Sequence, residues 1–313
     1  MRILVVGAGA VGGYFGGRMA LAGQDVTFLV REARAKALAA NGLVIKSPNS
    51  KVKLSEVKTV QSSQIDGAYD LIVLSCKAYD LESAMDSFAP AVGPSTTILP
   101  LLNGMRHLDV LRARFGQASV LGGVCLIAAT LDASHAIVQM TDMHAIVFGE
   151  LDGTKSARVE AIAAALRTGG FDVDPIDTIV QQMWEKWVFL ATLAGSTCLF
   201  RASVGDILAS PGGEAAMQAL FEECAAVAGA HGHAMRAPFA ERARGMLFAP
   251  GSSLTASMLR DIENGLRTEG EHVLGDLLAR RPSERTEPAH PTVPTMLELA
   301  YTHVKAYEAR HGR

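Results

Sequence analysis

Apolar residues follow two rhythms along this chain, and the change falls near its middle. In the first half they gather into short, nearly unbroken runs at 2–6, 70–77, 97–102 and 120–127. Runs of this length, rich in Val, Ile and Leu, suit parallel strands covered on both faces. Residues 25–31 alternate instead and predict a further strand. Residues 136–149 read as a hairpin and 171–173 as a short late strand, while the polar segments between strands carry helical periodicity. Pro100 argues against a central place for the 97–102 strand. Beyond about Ile176 strand signals vanish, and long helical stretches run to Arg313. The pattern predicts an α/β chain, with a doubly wound sheet in residues 1–176 and an all-helical domain in 177–313. Asp177 is placed to cap the incoming helix. The Pro-rich stretch from Pro282 to Pro294 reads as a connector between helices.

The first strand runs straight into Gly7-Ala8-Gly9-Ala10-Val11-Gly12, and a helical stretch follows to Ala22. That order suits a dinucleotide and makes the sheet Rossmann-type. Gly7 permits the tight turn, Gly9 lets the backbone approach a pyrophosphate, and Gly12 lets helix and strand pack closely. The helix N-terminus offers free N–H groups and the positive end of its dipole to the phosphates. About 20 residues further on, an NAD-preferring site carries an acid that holds the ribose 2′-hydroxyl. Here the second strand ends in Arg31. A guanidinium forks onto a 2′-phosphate and stacks on adenine, so NADP(H) is the expected cofactor. Glu32 competes with that reading, because a shift of one residue puts an acid at the ribose. Without a ligand, Arg31 is an ordinary solvated charge.

Composition narrows the picture further. The 313 residues suffice for two domains, and 49% of them are apolar. Lysine and arginine number 29 against 32 acids, a net charge of −3, which gives no basic field for nucleic acid and no polybasic membrane patch. Cys76, Cys125, Cys198 and Cys224 are scattered without a C-x-x-C pair. They read as buried free thiols of a reducing compartment, with no metal site. His290 and His303 read as surface histidines without metal-ligand spacing. Met1 stands at the edge of the first strand with no leader pattern. The apolar stretch 187–200 is too short to span a bilayer and is interrupted by Gly195, Ser196 and Thr197. A cytoplasmic protein with a small-molecule partner is expected. Apolar helical faces in the second domain leave room for a homodimer.

Four further positions invite chemistry. Lys77 and Asn103 end two strands, where a doubly wound sheet binds its ligands. A strand-end lysine is otherwise solvated, and Asn-Gly is otherwise a turn. Lys186 lies between Trp184 and Trp187 at the start of an apolar helix. Desolvation there would make it a usable general acid, whereas a snorkelling lysine on a half-buried helix fits the spacing equally well. Ser257 and Glu269 fall twelve residues apart. On one straight helix they would be about 18 Å apart and point about 120° away from each other. Gly265 breaks the pattern, and Thr268-x-x-Glu271 forms a capping box that starts a new helix. A hydroxyl and a carboxylate can then meet.

These motifs, taken in order over essentially the whole chain, resemble the ketopantoate reductase (2-dehydropantoate 2-reductase) family. The resemblance rests on the glycine loop, Leu29-Val30-Arg31, Ser75-Cys76-Lys77-Ala78, Leu102-Asn103-Gly104-Met105, Trp184-Glu185-Lys186, and Ser257-Met258-Leu259-Arg260-Asp261-Ile262 followed by Thr268-Glu269. It implies NADPH-dependent reduction of a 2-keto acid to a 2-hydroxy acid. In the type case ketopantoate becomes pantoate, a step of pantothenate and coenzyme A biosynthesis. It further implies Lys186 as proton donor and Glu269 as partner of the substrate hydroxyl or reacting oxygen. Ser257 would bond the substrate carboxylate, and Asn103 would hold substrate and lysine near the nicotinamide. Gly7, Ala8, Gly9, Ala10, Val11 and Gly12 would cradle the pyrophosphate, Arg31 the 2′-phosphate, with Lys77 along the cofactor. Asp261 gains no defined role. Where the family places asparagines four and eight residues after the lysine, this chain has Leu190 and Ala194. That departure points to an alternative, a family member reducing a less polar 2-keto acid. Thr192, Ser196 or Thr197 could compensate. A further alternative is a non-catalytic NADPH-binding sensor.

Overall fold

A computed structural model describes residues 1–282 and 293–312, so most of the 282–294 connector and His290 lie outside the described residues. The described chain forms two compact units: residues 1–102 with 107–180, and residues 103–106 with the described residues from 181 onward.

The first unit opens with strand β1 (Arg2–Val6), helix α1 (Ala10–Leu21), β2 (Asp25–Leu29) and α2 (Glu32–Asn41). Then come β3 (Leu43–Ser47), β4 (Ser50–Leu54), β5 (Thr59–Val60), β6 (Leu71–Leu74), α3 (Leu81–Phe88), β7 (Thr97–Pro100) and α4 (Arg106–Phe115). The unit closes with β8 (Gly122–Leu131), β9 (Ile137–Gly149), α5 (Ala157–Arg167) and β10 (Asp172–Pro175). A parallel sheet of order β5-β2-β1-β6-β7 carries the Rossmann-type core, with Pro100 on its edge strand β7.

A second sheet, of order β10-β9-β3-β4 with β8 paired to β9, corrects the single-sheet expectation. Residues 43–54 form an antiparallel hairpin rather than a helical linker. Residues 136–149 are not a hairpin: 137–149 is one long strand, antiparallel to β8. The polar run Thr141-Asp142-Met143-His144 resembles a turn but is the solvated stretch of β9. The true turn is built on Asp132, whose Oδ1 accepts from the N–H groups of Ser134 (2.9 Å) and Ala136 (3.0 Å). Helix α1 packs against strands of both sheets. Its extra glycines make it thin enough: a Cβ on Gly16 would lie 2.8 Å from the Phe28 ring, and one on Gly17 2.4 Å from Leu43.

The second unit is helical. Its elements are α6 (Ile179–Phe200, opening two residues after Asp177), α7 (Val204–Ala209), α8 (Gly213–Ala230), α9 (Ala237–Leu247) and α10 (Ser257–Glu263). A π-helical turn (Glu271–Gly275) then runs into α11 (Asp276–Ala279), and α12 (Met296–Arg310) follows. Helix α6 is its axis, with Leu220, Leu274 and Ala300 crowded around Gly195. Cys198 and Cys224 are buried in this unit and Cys125 in the first, but Cys76 is only half-buried, against expectation. Burial pushes the Cys198 and Cys224 thiols up to about 12, as expected of inert core residues. His303 is half-buried rather than a surface residue. Its Nε2 is buried without a hydrogen-bond partner among the described residues. No helix among the described residues is long and apolar enough to cross a membrane.

Candidate active site

The glycine loop sits where β1 meets α1, and its three glycines answer three different demands. Gly7 adopts φ +93°, and its N–H donates to the Leu29 carbonyl at 3.0 Å, tying the turn to β2. Gly12 faces Ser75: a Cβ there would stand 2.0 Å from the Ser75 hydroxyl and 2.4 Å from the Gly7 carbonyl oxygen. Gly9, the extended residue that caps α1, has nothing within 4 Å of where a Cβ would project. Open space above a glycine, next to the free N–H groups of a helix start, fits a pyrophosphate. Ala10 and Val11, the first helical residues, are half-buried. The loop has a support that sequence reasoning missed. Arg34 donates from Nε (3.2 Å) and Nη2 (2.9 Å) to the Ala8 carbonyl, pinning that peptide from below. Burial pulls the Arg34 pKa down. Its position in the first turn of α2 was the available signal.

At the end of β2 the arginine and the acid part company. Glu32 is the first residue of α2 and pairs with Lys36 at 2.6 Å, one helical turn on. Arg31, 79% exposed, reaches across to Asp80 at 3.3 Å, in the short helical turn capped by Lys77. So Arg31 and the segment after β6 come together, while Glu32 is held on its own helix. An exposed pair of this kind contributes about 0–1 kcal/mol and leaves the guanidinium available to a phosphate. Arg31→Ala is expected to raise KM for NADPH about tenfold and to leave KM for NADH unchanged. Steady-state kinetics with both cofactors check this, and equal losses for the two would remove Arg31 from the 2′-phosphate site.

The remaining candidates all belong to the second unit, Asn103 included. Gly104 (φ +77°) turns the chain so closely onto His272 that a Cβ would lie 2.9 Å from the His272 carbonyl oxygen. Asn103 is thereby set beside the turn that follows Glu269. Lys186 is half-buried on α6 between Trp184 and Trp187, whose rings stand 5.1 Å apart. Trp187, 1% exposed, donates from Nε1 to the Val273 carbonyl at 2.8 Å, and the Val273 N–H bonds the Glu269 carbonyl at 2.9 Å. The lysine's helix is therefore tied directly to the turn that begins at Glu269. It runs into the π-helical turn Glu271–Gly275, a feature common at functional sites and with no signature in the sequence.

Ser257 is exposed at the first position of α10. The N–H of its neighbour Ala256 donates to Thr197 Oγ1 at 3.4 Å, so α6 holds this end as well. Helix α10 stops in a Schellman motif, with Leu266 N–H to the Asp261 carbonyl (2.7 Å), Gly265 N–H to the Ile262 carbonyl (3.1 Å), and Gly265 at φ +65°. Ser257 thus opens α10, while Glu269 lies beyond the break, just before the next helical turn. The capping box does not form. Thr268 Oγ1 accepts from the Gly270 N–H (3.2 Å) and donates to Glu308 (2.6 Å), while Glu271 takes the Tyr301 hydroxyl (2.6 Å). Pairing to α12 replaces the local box.

Glu185, quoted in the sequence motif without a role, is the neighbour of Lys186 on α6. It is wholly buried and gripped by Arg236, which donates from its backbone N (2.9 Å), Nε (2.8 Å) and Nη2 (2.6 Å). Burial pushes the carboxyl up, but the Arg236 hydrogen bonds outweigh it and leave the pKa below the ordinary value. On α6, Leu190 and Ala194 share the Lys186 face, one and two turns on. Two of the three hydroxyls that could compensate are spent elsewhere. Thr192 donates to the Val188 carbonyl (2.8 Å) and Thr197 to Leu193 (2.7 Å), and Ser196 Oγ is buried without a partner among the described residues. No group of three or more His, Cys, Asp or Glu suited to a metal occurs among the described residues.

Comparison with known proteins adds to this geometry. Residues 3–153 match the family profile described as Ketopantoate reductase PanE/ApbA, and residues 178–303 match Ketopantoate reductase PanE/ApbA C terminal. The chain is 36% identical over 309 residues to an uncharacterized oxidoreductase, YkpB, of Bacillus subtilis, covering 99% of each. It is 30% identical over 279 residues to a 2-dehydropantoate 2-reductase of Archaeoglobus fulgidus, covering 89% of this chain and 90% of the relative. Among solved structures, D-mandelate dehydrogenase with NADH and anilino(oxo)acetate superposes with a TM-score of 0.86 over 100% of both chains at 21% identity, a likeness of fold.

Proposed function

The chain belongs to the ketopantoate reductase family, NADP-dependent oxidoreductases acting on CH–OH groups, and from that premise we propose that it reduces a 2-keto acid to the 2-hydroxy acid with Lys186 as proton donor. The observation that carries this reading is the Trp187–Val273 hydrogen bond, which ties the lysine's helix to the Glu269 turn. Asn103 and Ser257 stand in the same unit. Bound NADPH supplies the hydride. Gly7, Ala8, Gly9, Ala10, Val11 and Gly12 would hold its pyrophosphate and Arg31 its 2′-phosphate, with Lys77 and Asn103 along its length. The Lys186 ammonium gives its proton to the carbonyl oxygen and stabilises the alkoxide as it develops. Glu269 holds the substrate hydroxyl or orients the reacting oxygen, and the exposed Ser257 hydroxyl donates to the substrate carboxylate.

Ketopantoate is the substrate this reading names, with pantoate as product. Leu190 and Ala194 favour a second reading. They put apolar surface on the Lys186 face, where a polar substrate's hydroxyls would lack partners. A panel of 2-keto acids, followed by loss of NADPH absorbance, separates the two. Ketopantoate is expected to give the highest kcat/KM, and a less polar acid that exceeds it establishes the second reading. The Leu190→Asn, Ala194→Asn double variant is expected to improve hydroxylated over plain substrates by about tenfold. Binding of NADPH without turnover of any acid would identify a sensor instead.

A further inference from the structure

We propose that Arg236 is a positioning residue for Lys186, acting through Glu185. The inference rests on the reading of Lys186 as proton donor. Successive side chains on a helix point about 100° apart, so fixing the azimuth of Glu185 fixes that of Lys186. Glu185 is 0% exposed, and every bond to it comes from a defined direction. Oε1 receives the Arg236 backbone N–H, the Arg236 Nε–H and the Gln181 amide (3.2 Å), while Oε2 receives Nη2. The grip extends along the same face of α6. Gln181 donates to the Ala234 carbonyl at 2.8 Å, and its side-chain oxygen meets His233 Nδ1 at 3.1 Å. The Trp184 ring is stacked by His231 (5.2 Å) and His233 (5.6 Å). The irregular segment 231–236 is thus clamped on Gln181, Trp184 and Glu185, immediately before the lysine.

Stability alone does not account for this choice of residues. Glu185 is buried while the Arg236 side chain is 46% exposed, and well-packed apolar side chains are often as stable as an ion pair whose carboxylate has been taken out of water. A forked guanidinium on a carboxylate differs from them in direction: it accepts one rotation of the helix, where an apolar contact tolerates several.

The test compares Arg236→Gln, Arg236→Lys and the double variant Glu185→Met/Arg236→Met, with Lys186→Ala as reference. Arg236→Gln is expected to lower kcat between about tenfold and a hundredfold. Its KM for NADPH should stay unchanged, and the basic limb of its kcat–pH profile should move. Arg236→Lys, which keeps the charge but cannot fork, should recover only part of the loss. The double variant should melt close to the wild-type temperature and remain slow. Wild-type kcat and pH profile in the double variant overturn the proposal. So does an Arg236→Gln enzyme that loses only thermal stability. An active Lys186→Ala enzyme overturns the proton-donor reading, and this proposal with it. An inactive Lys186→Ala enzyme beside fully active Arg236 variants overturns the positioning role alone.

Discussion

Lys186→Ala is expected to lower kcat/KM for the keto acid by about a thousandfold, about 4 kcal/mol of transition-state stabilisation. The size follows from two losses at once. The carbonyl oxygen loses its proton source, and the alkoxide loses the adjacent positive charge. Binding of NADPH, read by fluorescence titration, should stay within about twofold, because the cofactor residues assigned here lie on other elements. The fold should be little affected: Lys186 is half-buried, while the buried contacts of that turn belong to Trp184, Glu185 and Trp187. Lys186→Arg sharpens the test. It restores the charge but holds its proton too tightly to donate it, so only a small part of kcat should return. Retention of kcat/KM within threefold in Lys186→Ala would falsify the proton-donor role.

What the sequence revealed, and what it hid, divides along the range of the interactions. Strands β1, β6 and β7 of the parallel sheet were legible because burial on both faces writes an unbroken apolar run, as in Leu71–Leu74, and β2 from its alternation; the two-residue β5 left no such run, and the apolar run at 120–127 belongs to β8, antiparallel to β9 in the second sheet. The glycine loop was legible because each glycine answers a local backbone demand. The hairpin at 43–54 left a signal in the Pro48-Asn49 turn flanked by alternating residues, which helical periodicity obscured. Strand β9 was misread because its solvated middle is as polar as a turn. Other features had no local trace. Arg236 grips Glu185 from 51 residues away. Asn103 joins the second unit because Gly104 turns the chain against His272, which is distant in sequence. The helix break between Ser257 and Glu269 was readable from Gly265 alone, since a C′ glycine is a local device. The failed capping box was not, because Thr268 and Glu271 found partners on α12.

Two alanine substitutions in the glycine loop should fail in opposite ways. At Gly12 a methyl group gains helix propensity worth about 0.5–1 kcal/mol. It then meets atoms that cannot yield. The Gly7 carbonyl oxygen at 2.4 Å is backbone, held by the bond from Gly7 N–H to Leu29. The Ser75 hydroxyl at 2.0 Å is itself committed to the Val6 carbonyl at 2.9 Å. Overpacking of this kind costs about 1–3 kcal/mol, more than the propensity returns, so Gly12→Ala should melt several degrees lower. Helix and loop are pushed apart, and NADPH affinity falls as well. At Gly9 a methyl group meets no protein atom within 4 Å, and φ is −82°. Loss of a glycine cap costs no more than about 1 kcal/mol, so Gly9→Ala should melt close to wild type. Its methyl instead fills the approach of the pyrophosphate. Two charge-assisted hydrogen bonds lost there, at about 1.5 kcal/mol each, raise Kd for NADPH about a hundredfold. Calorimetric melting and NADPH titration on the two variants read stability and affinity separately. A Gly9→Ala protein that binds NADPH like wild type would remove this loop from the cofactor site, whatever happens at Gly12.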